Sequence, residues 1–258
     1  MAASGNSGKE TGWGEVAGEY ENAFIQNDGS YHATVILPNV LRVVDPKRGK
    51  KILEVGCGNG FFTHAFAAAG SEAVGSDIAK EMIDAAKAKF PGIQWHAAPA
   101  DNLSFAKDAS FDAGVVVLAL QNIENLHGAL SEAARTLKAR GEFIAVLNHP
   151  AFRIPKKSFW GFDEEKGVQY RRLDGYLSES AEEIDMDPGK TFNKRTTVSF
   201  HRPLQVYVKA LAKAGFGVVG LEEWISNKSS QAGPRQKAED TSRKEFPLFL
   251  MIKAQKLA

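Results

Sequence analysis

Ile52-Leu53-Glu54-Val55-Gly56-Cys57-Gly58-Asn59-Gly60 is the stretch on which the fold turns. A short apolar run, Lys51 to Val55, ends in closely spaced glycines, which is how a buried strand gives way to a tight loop. An Ala-rich helix follows from Phe61 to Ala69, stopped by Gly70. Glycines in a strand-to-helix loop let backbone N–H groups approach a ligand closely, and the helix N-terminus favours a carboxylate or phosphate. Asp77 stands 17 residues past Gly60, at the end of the next predicted strand, Glu72 to Ser76. A carboxylate placed there can accept both hydroxyls of a ribose.

The strand–helix rhythm continues outward from this unit. A helix is expected over Ala79 to Phe90, a third strand over Ile93 to Ala97, and a central fourth strand over Phe111 to Leu118. A helix over Asn125 to Lys138 and a fifth strand over Glu142 to Leu147 complete the repeat. Such units imply a parallel sheet with right-handed crossovers. Later come a helix over Pro203 to Ala214, a strand over Phe216 to Trp224, a polar connection with some helix over Ser226 to Glu245, and a last strand over Phe246 to Ala254. The last two strands read as an antiparallel hairpin at the sheet edge. The expected fold is therefore α/β and Rossmann-like: seven strands, mostly parallel, with helices on both faces. Residues 1–48 read as a helical lead-in, with Trp13, Val16, Ala17 and Tyr20 at helix spacing, and 49–258 as the main domain. Residues 149–200, rich in charge, Gly and Pro, read as an inserted lid carrying Phe152, Phe159, Trp160, Phe162, Tyr170 and Tyr176.

Two ligands compete for the loop. A dinucleotide asks for G-x-G-x-x-G. Here the third glycine position holds Phe61, a glycine comes one residue early, and Glu54 precedes the loop. In this form Glu54 to Gly60 resembles the first motif of the class I S-adenosylmethionine-dependent methyltransferases, in a small-molecule, type 11-like branch. The resemblance covers about residues 50–148, and more weakly 201–254, where His201-Arg202-Pro203 and Leu211 to Trp224 resemble the family's tail. It implies S-adenosyl-L-methionine as cofactor. It implies that Glu54, Gly56, Cys57, Gly58 and Gly60 surround the methionine end, Asp77 takes the ribose, Ile78 packs on the adenine, and Met82 also lies at the cofactor. Ala100 and Asp101 match the segment that meets the adenine amino group, although Pro99-Ala100-Asp101 stands where many relatives have Gly-Asp-Ala. Leu118 to Asn122 matches the segment under the methyl group, and Tyr20 is expected at the cofactor from the lead-in.

Composition bounds the rest. With 43% hydrophobic and 24% charged residues and a net charge of +1, nothing in the overall balance favours nucleic acid. The single cysteine, Cys57, excludes a disulfide, a CxxC metal site and radical chemistry on an iron–sulfur cluster; it reads as a small filler. No metal is expected. No long apolar run exists to span a membrane, and the small polar N-terminus lacks a signal-peptide core, so a cytoplasmic location is the default expectation. Candidate general bases are His149, just beyond the fifth predicted strand, and His201, just before the late helix. Tyr31, His32, Gln121, Asn122, Phe152, Trp160 and Tyr176 are expected at the acceptor, a planar or apolar small molecule methylated on O, C or N. Arg153, Lys156, Lys157, Arg171 and Arg172 hint at an acidic one. A peptide or RNA acceptor, and a non-catalytic cofactor-binding module, remain as alternatives.

Overall fold

The structure, a computed structural model, describes residues 12–13, 29–186 and 195–257. Of the helical lead-in, Val16, Ala17 and Tyr20 lie outside these residues.

A π-helical turn, His32–Ile36, runs into α1 (Leu37–Val44), with Pro38 in its first turn. Then come β1 (Lys51–Val55), α2 (Phe61–Ala68), β2 (Glu72–Asp77), α3 (Lys80–Lys89), β3 (Gln94–Ala97) and β4 (Phe111–Val117). A 3-10 turn, Leu120–Asn122, leads to α4 (Leu126–Thr136) and β5 (Leu137–Asn148). The inserted stretch is not irregular. It forms one antiparallel hairpin, β6 (Ser158–Asp163) with β7 (Val168–Leu173), and a second, β8 (Ser180–Asp185) with β9 (Thr196–His201). The chain closes with α5 (Leu204–Lys213), β10 (Phe216–Trp224), α6 (Gln236–Glu245) and β11 (Phe249–Lys256).

Seven strands make one sheet in the order β10-β11-β5-β4-β1-β2-β3. β1 to β5 are parallel, and β11 runs antiparallel between β5 and β10. Period-two alternation divides each central strand between two cores. Leu53, Phe143 and Leu250 face a cluster completed by α4 and α5; Ile52, Ile144 and Met251 face one completed by α1 and α2. A smaller cluster joins α3 to Trp95 at the β3 edge. Burial of both faces explains why these strands read as continuous apolar runs.

One boundary moved substantially. The helical period carries on to Lys138 in the sequence, yet α4 stops at Thr136 and β5 begins at Leu137, not Glu142. Leu137 pairs with Phe111, and Ser110 N donates to Thr136 O at 2.8 Å. Hydrogen bonding to β4 thus takes the residues that local propensity would have left in the helix. Among the described residues, no helix is long and apolar enough to cross a membrane.

Candidate functional site

The sheet order reverses between β1 and β4, so their following loops diverge and leave a crevice at the carboxyl ends of the strands. Four segments converge there: Gly56–Gly60 after β1, Asp77 at the end of β2, Pro99–Leu103 after β3, and Leu118–Asn122 after β4.

The glycine loop is tied to its neighbours by backbone geometry. Gly56 N and Cys57 N both donate to Ser76 O, at 2.7 and 2.9 Å. Gly58 and Gly60 are left-handed, at φ 54° and 86°, a conformation that a side chain disfavours. Their surroundings differ. A Cβ on Gly60 would press into the Trp95 indole, 2.9 Å from Cζ3, whereas one on Gly58 would meet nothing within 4 Å. Gly58 therefore has bare backbone facing open space. Its N–H donates to Asp77 Oδ2 at 2.9 Å, and Ala79 N donates to Asp77 Oδ1 at 2.9 Å. Burial raises the Asp77 carboxyl above its ordinary pKa, against the lowering effect of these N–H groups. The two oxygens together, which the Ile78 N–H also engages, keep acceptor capacity for a further donor.

Glu54 is placed beneath the loop. It is fully buried, Thr63 Oγ1 donates to it, and burial raises its pKa to about 8. Cys57 is buried against Gly75, and burial together with the Asp77 and Glu54 charges pushes its thiol well up, so it is an unreactive filler. Met82 is buried, and Ile78 is half exposed beside Asp77. Asp101 Oδ2 accepts from Asn125 Nδ2 at 2.8 Å, and Asn125 in turn caps α4 by accepting from Gly128 N at 3.0 Å. Ala100 packs against the α4-side core.

After β4, Leu118 adopts φ 53°, rare for a branched side chain. This redirects the chain so that Gln121 Nε2 donates to Leu118 O at 2.6 Å and Asn122 Nδ2 reaches the same carbonyl at 3.3 Å. Gln121 Oε1 and, in the glycine loop, Asn59 Nδ2 are buried with no hydrogen-bond partner among the described residues. Buried polar atoms of native proteins are nearly always paired, so two orphans beside one crevice mark a place for a polar ligand or water.

The residues expected at the acceptor separate into groups. Tyr176, His201, Gln121 and Asn122 come together, because β9 packs on the 3-10 turn. His201 is buried, and its Nε2 lies 2.8 Å from Tyr176 O, a carbonyl that can only accept. Nε2 is therefore the donor of this bond, and Nδ1 is the ring nitrogen it leaves out. Tyr176 Oη accepts from Leu204 N at 3.1 Å. Phe152, Trp160 and His149 gather elsewhere, around Phe246 at the β10–β11 end of the sheet. Phe152 and Trp160 both meet the Phe246 ring edge-on, at 5.5 and 5.4 Å. His149 has both nitrogens engaged: Nδ1 accepts from Ala151 N and Phe152 N, and Nε2 donates to Glu223 at 2.7 Å. Burial lowers its pKa, against the raising effect of Glu223. Tyr31 also lies at that end, edge-on to Phe249 and bonded to Ser226 Oγ at 2.8 Å. His32 packs on Phe62 of α2, where burial lowers its pKa to about 4 and keeps it neutral. Tyr20 lies outside the described residues.

Sequence reading assigned no site role to Asn59, Ser180 or Arg202, although Asn59 and Arg202 stand within quoted motifs. Arg202 is 7% exposed, and its NH2 donates to Ile123 O at 2.9 Å and Glu124 O at 2.8 Å, fastening β9 to the segment after β4. The only sequence signal for it is its place between His201 and the proline that opens α5.

The polar groups at the crevice are backbone N–H groups, neutral amides and the Asp77 carboxyl, with no lysine or arginine in the loop itself; the Glu54 carboxyl beneath the loop, raised to about 8, is neutral at pH 7. A pyrophosphate would favour a cation there. A neutral ribose and a positively charged sulfonium suit the acidic set.

Comparison with known proteins agrees with this geometry. A family profile described as "Methyltransferase domain" matches residues 53–145. The demethylmenaquinone methyltransferase of Tropheryma whipplei is 37% identical over 106 residues, 40% of this chain and 44% of that protein. The matched stretch is thus less than half the length of that curated relative. An uncharacterized protein of Haemophilus influenzae is 24% identical over 90% of this chain and 91% of its own length. An S-adenosylmethionine dependent methyltransferase from Mesorhizobium loti, known from its crystal structure, superposes with a TM-score of 0.69 at 25% identity, covering 89% of this chain and 99% of that one.

Proposed function

We propose that this chain, a member of the class I S-adenosylmethionine-dependent methyltransferase family in its type 11 branch, transfers the sulfonium methyl group of S-adenosyl-L-methionine to a small-molecule acceptor. The observation that carries the reading is the pairing of Gly58 with Asp77: bare left-handed backbone facing open space, its N–H bonded to a carboxylate that keeps acceptor capacity for a ribose hydroxyl.

The cofactor supplies an activated methyl group, and the protein's part is to bind, align and exclude water. Asp77 and the glycine loop hold the ribose and methionine ends. Ile78, half exposed beside Asp77, offers an apolar surface to the adenine, with Met82 behind it. Gln121 and Asn59, with orphaned polar atoms, face the reacting end. The two hairpins form the lid, and the β8–β9 hairpin brings His201 to the segment after β4. His201 Nδ1 takes the acceptor's proton where the acceptor must lose one, because Tyr176 O engages Nε2 and not Nδ1.

A small acceptor is supported by the enclosed character of this corner, where His201, Arg202 and Gln121 are all buried. It is supported also by the demethylmenaquinone methyltransferases among the relatives. Calorimetric titration with the demethylated cofactor tests the reading. Wild type should bind it, and Asp77→Ala should weaken binding tenfold or more, as expected for a charge-assisted bond of about 1.5–3 kcal/mol. Failure of folded wild type to bind would sink the proposal.

A further inference from the structure

Five described cations of the inserted stretch are spent on holding it in place. Arg153 lies over the Phe249 ring and donates to Asn148 Oδ1; Arg171 lies over Trp160 and donates to Phe152 O and Ser158 Oγ. Lys156 and Lys157 reach Glu182, and Arg172 reaches Asp174. Arg202 is different. Its NH2 is satisfied by two carbonyls, but its NH1 is buried with no hydrogen-bond partner among the described residues. Among the described residues the carboxylate paired with it, Glu179, stands 4.0 Å from Nε and is more than half exposed. The buried Tyr207 phenol is hydrogen-bonded to the guanidinium but, as a phenol whose pKa burial raises, supplies no anion. A buried guanidinium with donors to spare is costly unless an anion joins it.

Two further orphans lie on the segments that flank Arg202. Ser180 pairs with His201 across the β8–β9 ladder, one residue from Arg202, and Ser180 Oγ is buried without a partner. Gln121, two residues before the first carbonyl that Arg202 holds, has spent its amide nitrogen on Leu118 O, so its orphaned Oε1 can only accept. Resting on the methyl-transfer reading above, we infer that Arg202 NH1 and Ser180 Oγ form a carboxylate-binding subsite, so that the acceptor is a small planar carboxylic acid. The guanidinium fork matches a carboxylate's two oxygens. Gln121 Oε1 and His201 Nδ1 then receive the acceptor's protic group, the one that is methylated. The acceptor is thereby fixed at both ends, which the apolar rings of the hairpins cannot do.

The test uses the full chain loaded with demethylated cofactor and two probes of equal size, benzoate and benzamide, followed by ligand-observed NMR. Wild type should bind benzoate at least about tenfold more tightly than benzamide. Arg202→Met should abolish that preference, and Ser180→Asp should do so by setting a competing carboxylate beside the guanidinium. Neither should change affinity for the demethylated cofactor by more than twofold. Ser180→Asp lies on a hairpin outside the main cores, so it carries the test if Arg202→Met fails to fold. Equal binding of the two probes, no benzoate binding, or a preference that survives either variant overturns the inference. A tenfold loss of cofactor affinity in Arg202→Met overturns it too, because NH1 would then serve the cofactor. If wild type binds no cofactor, the methyl-transfer reading falls separately, and the same probe comparison on the unloaded chain still decides the subsite.

Discussion

Alanine at Gly58 and alanine at Gly60 should fail in different ways, and the difference tests the cofactor loop. Both residues are left-handed, so each alanine costs about 1–2 kcal/mol of backbone strain. At Gly58 that is the whole cost, since the new Cβ meets nothing within 4 Å. With about 2–4 °C lost per kcal/mol in a domain of this size, the melting temperature should fall by roughly 2–8 °C. At Gly60 the new Cβ would lie 2.9 Å from Cζ3 and 3.1 Å from Cζ2 of Trp95, and closer still to Cη2. Carbon contacts settle near 3.5–4.0 Å, so the indole must shift within its own cluster, adding about 1–3 kcal/mol of overpacking. Gly60→Ala should therefore cost about 2–5 kcal/mol and bring early melting. Binding should invert the order of interest: Gly58→Ala, still folded, puts a methyl group where the ligand meets backbone and should weaken the demethylated cofactor tenfold or more. Thermal melts and calorimetry on the two variants read both effects. A folded Gly58→Ala protein whose affinity stays within twofold of wild type refutes the assignment of this open space to the cofactor.

Three other outcomes follow from the site. Glu54 has a carboxyl raised to about 8 by burial, so its contribution to stability is fully present below its ordinary value of 4.5 and is lost as pH rises through about 8; the melting temperature of wild type should drop between pH 6 and 9 more steeply than that of Glu54→Gln, and equal slopes would show that another group titrates. His149→Ala removes the cap on the Ala151–Phe152 turn and the bond to Glu223, so it should cost about 1–3 kcal/mol while leaving cofactor affinity and turnover near wild type; a large loss of kcat in a folded protein would return His149 to the list of candidate bases. His201→Ala should lower kcat by about a hundredfold or more with any acceptor that must lose a proton, at unchanged cofactor affinity; turnover that survives intact, with a flat pH profile, would make His201 a structural tie to Tyr176.

The fold was largely legible because its signals are local. Apolar runs of strand length, glycine stops and the strand–helix spacing each sit within about ten residues, and the strands from β1 to β4 fall within a residue or two of their expected places. The start of β5 was not legible, since it depends on Phe111 lying opposite Leu137. The two hairpins were missed for another reason. They pack outside the main cores, so Ser-Ala-Glu-Glu-Ile-Asp of β8 carries no apolar face to betray a strand. Trp160 of β6 was expected at the acceptor, and its ring meets Phe246 edge-on.

What the sequence determined by itself is the proposed donor side: a strand, a loop of left-handed glycines and an acid at the end of the next strand. Those features are set by backbone freedom and short-range order, and they read the same in one dimension as in three. The acceptor side was decided only by tertiary structure. Arg202 reaches Ile123 and Glu124 across 79 and 78 residues of chain, and His201 meets Tyr176 across 25. No local pattern tells which of the chain's many cations will be buried with donors left over, because that depends on where the second hairpin docks and which carbonyls it finds.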